Sequence, residues 1–314
     1  MIPLDALQSI LSIMIMVAIG FIFTHIGWFN KNTSNIFSRI IVNLALPALM
    51  INNLLTSFSK DQLIYMWSSI TIPFLGVMLS YLLSILVSKL IGVSKGRRGL
   101  FRALFTFSNT IFMGVPVNIA LFGEKSVSIV TMYYIAHTTI FWTIGVYGLK
   151  KDRQDEENNL FSMETLQRIF SPMLVAYLIG NLLIFMEISL PKFLMETSSY
   201  FSDLTTPLSM LFLGITLYYI DYKSFKLDKS MLAIILGTFV ITPLVVYSVL
   251  HFFSRPLLMK KVFVLEAAMP VMATVAIAAK AYGSDHHYAA LMVALTTLIS
   301  IFVIPGYMFL FSFL

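Results

Sequence analysis

Ten long apolar stretches follow one another along the chain, and they constrain the fold more than any other feature. Each is long enough to cross a lipid bilayer as a helix, which takes about 20 mostly apolar residues. They are far longer than the strands of a membrane β-barrel, which need about ten residues. Since helices and closed barrels satisfy the backbone in lipid, we predict an all-α polytopic membrane protein with ten transmembrane helices. These predicted spans 1 to 10 cover residues 5–27, 34–56, 62–91, 99–121, 126–149, 167–187, 198–220, 230–253, 259–282 and 286–311.

The composition agrees with a chain whose solvent is lipid. Apolar residues make up 58% of it and charged residues only 11%, whereas soluble domains carry about 25% charged residues. Cysteine is absent, so we expect neither disulfides nor thiolate metal sites. The motifs of zinc proteases, nucleotide-binding P-loops and serine hydrolases are missing as well. We therefore expect no enzymatic activity, no cofactor and no bound metal, and we attribute the net charge of +6 to loops rather than to nucleic-acid binding.

Lysine and arginine are distributed unequally between the two ends of the predicted spans. Of the 21 basic residues, six would lie on one side of the membrane and the other fifteen on the opposite side. Because basic loops stay in the cytoplasm, we predict that both termini are extracellular. We also expect a multi-pass location in a bacterial inner membrane. The six basic residues on the predicted outer side are Lys60, Lys125, Lys192, Arg255, Lys260 and Lys261.

The chain divides into two halves of five spans that resemble each other. The charged stretch "KKDRQDEENN" opens a predicted cytoplasmic linker, 150–166, between a first repeat, 1–149, and a second repeat, 167–314. "IFSRIIVNLALPALM" in span 2 is matched by "YFSDLTTPLSMLFLG" in span 7, and "MGVPVNIALFGEKS" in span 4 by "AAMPVMATVAIAAKAYGSD" in span 9. An odd number of spans per repeat inverts the second copy. Inverted repeats are an architecture of secondary transporters.

Spans 4 and 9 contain helix-breaking residues at corresponding places. The stretch "SNTIFMGVPVNIALFG" in span 4 carries Gly114 and Pro116, and span 9 carries Pro270. Proline removes a backbone donor and clashes with the preceding turn. Backbone groups freed in this way persist in a membrane only when they are buried in protein or line a wet cavity. Broken helices would place N-termini, each with about half a positive charge, where they favour an anion; a simple proline kink is the alternative interpretation.

The motifs of spans 4 and 9 resemble the two signatures of the auxin efflux carrier family. They are "NTIFMGVPV" with "FGEKS", and "EAAMPVMATVAIAAKAYGSD" with "LTTLISIFVIPG", and the resemblance covers nearly the whole chain. This family includes plant auxin exporters and bacterial malate and malonate permeases. The resemblance implies an NhaA-like, bile-acid-symporter-like fold in which broken helices 4 and 9 cross at their prolines. It also implies a scaffold and homodimer interface from spans 1, 2, 6 and 7, and a transport domain from spans 3–5 and 8–10.

The resemblance further implies that Asn109, which precedes the first break, contacts a substrate carboxylate. The chain departs from the plant carriers at His137, where they have a glutamine, and at Val271 and Met272, where they favour a glutamine after the second proline. Fold and transport mode therefore carry over better than substrate identity.

Polar and helix-breaking residues around the two breaks are the candidate site residues. The coupling candidates are Glu266 and His137, because ionisable groups inside spans often mark ion or proton paths and histidine titrates near neutral pH. Three alternatives remain open: an Asn109 amide that holds the broken backbone, a Glu266 carboxylate hydrated near the outer surface, and a packed His137 ring that donates to a neighbouring carbonyl. The substrate-binding candidates are Asn109, Thr110, Gly114, Pro116, His137, Pro270 and Thr274.

Together these features predict a secondary active transporter of small organic anions that works by alternating access. Mono- or dicarboxylates such as malate or malonate are the expected substrates, with proton or sodium coupling as an open possibility. Export of indole-like aromatic acids is the alternative within the same class. A channel or a membrane-embedded sensor is the alternative from a different class. The expected partners are the lipid bilayer and a second copy of the chain, and not nucleic acid.

Overall fold

The computed structural model describes residues 4–152, 169–219 and 228–311, and these residues are predominantly helical. Among them, the only extended pairing is an isolated antiparallel bridge between Ser108 and Val271. Most of the predicted 150–166 linker lies outside the described residues. The α-helices in chain order are α1 (Leu4–His25), α2 (Lys31–Ile40), α3 (Leu46–Ser57), α4 (Lys60–Trp67), α5 (Thr71–Leu90), α6 (Arg98–Thr106), α7 (Val115–Phe122), α8 (Ser126–Ile140), α9 (Val146–Lys151), α10 (Pro172–Phe185), α11 (Lys192–Ser202), α12 (Thr205–Tyr218), α13 (Lys229–Leu236), α14 (Thr242–His251), α15 (Leu257–Ala267), α16 (Ala273–Ala281) and α17 (His286–Phe311).

Wider π-helical turns interrupt several of these helices without ending them. They join α2 to α3 at Ile41–Ala45, α8 to α9 at Phe141–Gly145, and α13 to α14 at Gly237–Ile241. Another such turn, Thr110–Gly114, precedes α7. Turns of this kind are rare and frequently occur at functional sites.

Five continuous stretches of the described chain are long and apolar enough to cross a membrane. At 1.5 Å per residue, the shortest of them, with 23 residues, exceeds a hydrocarbon thickness of about 30 Å. Shorter apolar helices occupy parts of predicted spans 1, 4 and 6. The expectation of an all-helical membrane protein is thus confirmed, whereas the ten-span inverted repeat stays a prediction. The five stretches are Lys31–Ser57, Lys60–Leu90, Ser126–Lys151, Lys229–His251 and His286–Phe311.

The chain forms two compact units. Unit 1 comprises residues 1–69, 111–132 and 170–219, and unit 2 comprises residues 70–110, 133–169 and 220–314. In unit 1, α1 packs along α12 through glycines on both helices. A Cβ on Gly214 would overlap the carbonyl of Val17, and a Cβ on Gly20 would press on the backbone of Leu211. Small residues of this kind let two membrane helices approach to backbone contact.

In unit 2, α6 and α9 also reach backbone contact. Gly99 permits this contact, since a Cβ at this position would overlap the carbonyl of Gly148. The Asp152 carboxylate, just after α9, accepts hydrogen bonds from the backbone N–H groups of Gly99 at 2.8 Å and Leu100 at 2.9 Å. These bonds satisfy donors that the first turn of α6 leaves unpaired. Burial raises the pKa of the Asp152 carboxyl, although the two hydrogen bonds and the nearby Arg102 charge oppose the rise. The Asp152 carboxylate therefore caps the N-terminus of α6.

We expect Gly99→Ala to destabilise the protein, because its new methyl group has no room against the Gly148 carbonyl. Overpacking of this kind typically costs about 1–3 kcal/mol. The matched control is Gly96→Ala, where a Cβ would lie 3.5 Å from the nearest atom, the Asp152 carbonyl oxygen. Thermal unfolding of both variants in the same detergent measures the difference. Equal melting temperatures would show that the α6–α9 contact is looser than described.

Candidate functional site

The first interruption lies between α6 and α7. Helix α6 ends at Thr106, and Phe107 is extended, with φ −96° and ψ 113°. The backbone becomes helical again at Thr110, passes through the π-helical turn, and enters α7, in whose first turn Pro116 lies. The sequence interpretation that placed the break at Gly114 and Pro116 is therefore wrong, since Gly114 is helical with φ −59° and ψ −53°. Pro116 lies six residues after the helical backbone resumes, directly past the π-helical turn, and the chain stays helical through it.

The second interruption lies between α15 and α16. Helix α15 ends at Ala267, Met272 is extended with φ −72° and ψ 138°, and α16 begins at Ala273. Pro270 lies inside this non-helical segment and is buried. Here the sequence placed the break correctly.

The two interruptions pair with each other within unit 2. The backbone N–H of Asn109 donates to the Pro270 carbonyl at 2.7 Å, and that of Met272 donates to the Phe107 carbonyl at 3.1 Å. Ser108 and Val271 form the antiparallel bridge between these bonds. Unpaired backbone groups are costly at membrane depth. The bridge therefore stabilises both breaks by making each segment the hydrogen-bond partner of the other.

Side chains satisfy further backbone groups at the bridge. His137 Nε2 accepts a bond from the Ser108 N–H at 2.8 Å, and Thr296 Oγ1 accepts one from the Val271 N–H at 3.1 Å. The Ser108 hydroxyl donates to the Glu266 carbonyl at 2.8 Å. Sequence reasoning missed Ser108 and Thr296. The signal for Ser108 was its place directly before Asn109, whereas nothing local marks Thr296, which comes from α17.

The bond from Ser108 assigns a tautomer to His137. Because Nε2 uses its lone pair to accept, the ring proton of the neutral imidazole lies on Nδ1. The ring is buried and meets Phe107 edge-to-face, with centroids 5.2 Å apart. His137 thus supports the backbone at Ser108. This agrees with the packed-histidine alternative, with the difference that the ring accepts a bond from an N–H and does not donate one to a carbonyl. Its roles in substrate binding and coupling stay predictions.

Glu266 lies in the last turn of α15, one residue before the helix ends. Its side chain has 0% exposure. The alternative that Glu266 is hydrated near the outer surface is therefore wrong. Ionisable residues inside a membrane are costly, and they commonly serve ion or proton pathways. Glu266 remains the strongest coupling candidate.

The structure brings several of the predicted site residues together, but not all of them. Asn109 and Thr110 are buried where the first helix resumes, and Thr274 lies half-buried in the first turn of α16. Gly114 and Pro116 belong to unit 1 and are buried there. Both helical segments, Thr110–Phe122 and α16, begin directly after the bridge. Their N-terminal partial positive charges therefore lie near Asn109.

The apolar helices define a multi-pass membrane protein, and the paired interruptions bring polar groups together within unit 2. A family model described as "Membrane transport protein" matches residues 5–308. The chain belongs to this family, and the resemblance to the auxin efflux carriers is confirmed. It is a family of transporters and not a class of enzymes.

Two archaeal relatives match the chain over almost its full length. A protein of Methanocaldococcus jannaschii named as an uncharacterized transporter is 24% identical over 309 residues, or 97% of both chains. A second, of Methanothermobacter thermautotrophicus and named in the same way, is 24% identical over 309 residues, which is 97% of this chain and 98% of the relative. The similarity extends across both units and is not confined to the motifs of spans 4 and 9.

Proposed function

We propose that this protein is a secondary active transporter of small organic anions, and that mono- or dicarboxylates such as malate or malonate are its substrates. The observation that carries the proposal is the bridge at which Ser108 and Asn109 meet Pro270 and Val271. In secondary transporters, substrate sites commonly lie where interrupted helices meet near the middle of the membrane. We call the paired segments 107–109 and 270–272 the junction. We propose that transport proceeds by alternating access at this junction, with predicted spans 4 and 9 crossing there in two inverted repeats.

The electrostatics of the junction favour a negative ligand. Two helical segments begin there, and each contributes about half a positive charge through its unpaired N–H groups. The Asn109 side chain adds an amide donor of the kind that binds carboxylate oxygens. Thr110 and Thr274, at the starts of the same two segments, offer hydroxyl groups. A carboxylate bound at this place would be neutralised without a buried lysine or arginine.

Glu266 supports coupling to an ion gradient. Glu266 is buried, and its backbone carbonyl accepts a bond from Ser108 at the bridge. A buried carboxyl group can carry a proton across a membrane because its neutral form is the less costly one. We propose proton coupling through Glu266, with sodium as the alternative ion.

Counterflow in proteoliposomes tests the proposal. A carrier loaded with unlabelled malate should take up labelled malate transiently and with saturation, whereas a channel should show no such overshoot and a sensor should bind without flux. A panel that contains malate, malonate and indole-3-acetate separates carboxylate permeation from aromatic-acid export. Absence of counterflow with every member of the panel would contradict the proposal.

We propose that the fifteen basic residues of the richer side face the cytoplasm, which leaves both termini outside. The chain has no cysteine, so a single Asn158→Cys variant tests this orientation. An impermeant thiol reagent should label it in inverted vesicles and not in intact cells, and the reverse pattern would contradict the orientation. Asn158 lies outside the described residues.

We also propose a homodimer. Mass measurement in native-like lipid discs checks it, since a monomer at every protein concentration would exclude it.

A further inference from the structure

A cavity of about 180 Å³ lies in unit 2, where α14 ends and α15 begins. An apolar cavity of about 150 Å³ is enough to bind benzene, so this one admits a ligand group of somewhat larger size. Its polar lining consists of His251, Lys260 and Lys261, and its apolar lining includes Tyr247, Leu257 and Phe311. It contains none of the residues of the proposed transport site. A ligand here would therefore have a separate role.

Two lysines line the cavity, and none of its lining residues is acidic. Lys261 Nζ donates to the Phe311 carbonyl at 2.9 Å, and lies 6.0 Å from the centroid of the Phe311 ring. This bond uses one of the three donors of an ammonium group. Within the described ranges, neither Lys260 nor Lys261 forms an ion pair. Both lysines line the cavity, so an anion bound inside it would be attracted by both charges.

The sequence position of these charges is also unusual. Three of the six basic residues on the predicted outer side, Arg255, Lys260 and Lys261, lie within residues 255–261. Basic residues are generally scarce on that side of a membrane protein. Two of the three, Lys260 and Lys261, also line the cavity, which indicates a binding role rather than a topological one.

Apolar side chains beside the cavity indicate what kind of anion binds. Tyr247 is 42% exposed and Leu257 is 46% exposed, and both line the cavity. A free inorganic anion would leave this apolar surface uncovered, whereas acyl chains would cover it. We propose that the cavity binds the headgroup of an anionic phospholipid, with the phosphate between Lys260 and Lys261 and the acyl chains along Tyr247 and Leu257.

Native mass spectrometry of the delipidated full-length protein tests this proposal. The wild-type protein should bind phosphatidylglycerol in preference to phosphatidylcholine. The double variant Lys260→Ala with Lys261→Ala should bind phosphatidylglycerol at least about tenfold more weakly, since each charged hydrogen bond contributes a factor of that order. The matched control, Lys60→Ala with Lys125→Ala, removes two charges from the same predicted side and should keep wild-type binding.

Equal binding of phosphatidylglycerol and phosphatidylcholine by the wild-type protein would by itself overturn the proposal. Unchanged phosphatidylglycerol binding in the double variant, or an equal loss in the control, would overturn the assigned site. Soluble glycerol 3-phosphate should not displace the lipid at matched concentration. If it does, the cavity binds a soluble phosphate and the lipid assignment is wrong.

Discussion

Asn109→Ala should leave the protein folded and weaken carboxylate binding by roughly 10- to 150-fold. A hydrogen bond to a charged group contributes about 1.5–3 kcal/mol, and about 1.4 kcal/mol is a factor of ten in affinity. Only the side chain changes, so the backbone bond from Asn109 to Pro270 is kept and the bridge should survive. Isothermal calorimetry with malate, malonate and indole-3-acetate on purified protein measures the loss.

The matched control for Asn109→Ala is Asn52→Ala, which removes an amide from a half-buried position on α3. We expect wild-type affinity in this control. Wild-type affinity in a folded Asn109→Ala protein would exclude the amide from the anion site. It would then favour the alternative in which Asn109 only supports the interrupted backbone.

Glu266→Gln should separate exchange from accumulation. Glutamine keeps the shape of the side chain but cannot carry a proton, and counterflow needs no net proton movement. We therefore expect counterflow close to that of the wild type, and no accumulation of malate when a pH gradient is imposed on proteoliposomes. The matched control is Glu124→Gln, at an exposed position between α7 and α8, which should accumulate malate normally.

Two results would contradict the role of Glu266. Accumulation by Glu266→Gln at the wild-type level under a pH gradient would exclude proton transfer through this carboxyl group. Loss of counterflow in a folded Glu266→Gln protein would show that Glu266 acts in substrate binding or in the conformational change instead.

The features that the sequence predicted well are those with a local cause. A run of apolar residues makes a membrane helix wherever it lies, and Pro270 interrupts a helix through its own missing donor. The first interruption was misplaced because its position depends on distant partners. Phe107 and Asn109 leave the helical path and pair with Met272 and Pro270, and no pattern within span 4 displays that pairing.

The same distinction applies to the candidate site. Asn109 and Glu266 stood out because bare amides and carboxylates are rare in apolar segments. Thr296 and Ser108 did not, since hydroxyl residues are common in membrane helices and usually bond to their own backbone. The contact between Ser108 and His137 joins residues from different helices and emerges only from the packing of unit 2. It shows that His137 supports the backbone, and its role as a titrating coupling group stays a prediction.

Cysteine protection by substrate tests most directly whether an organic anion binds at the bridged interruptions. The chain has no cysteine of its own, so Thr274→Cys places one thiol in the first turn of α16, and Lys280→Cys places a control thiol at an exposed position near the end of that helix. Malate or malonate should slow alkylation of Thr274→Cys in a saturable way and leave Lys280→Cys unaffected. Unchanged alkylation of Thr274→Cys at concentrations that saturate counterflow would contradict an anion site at this junction.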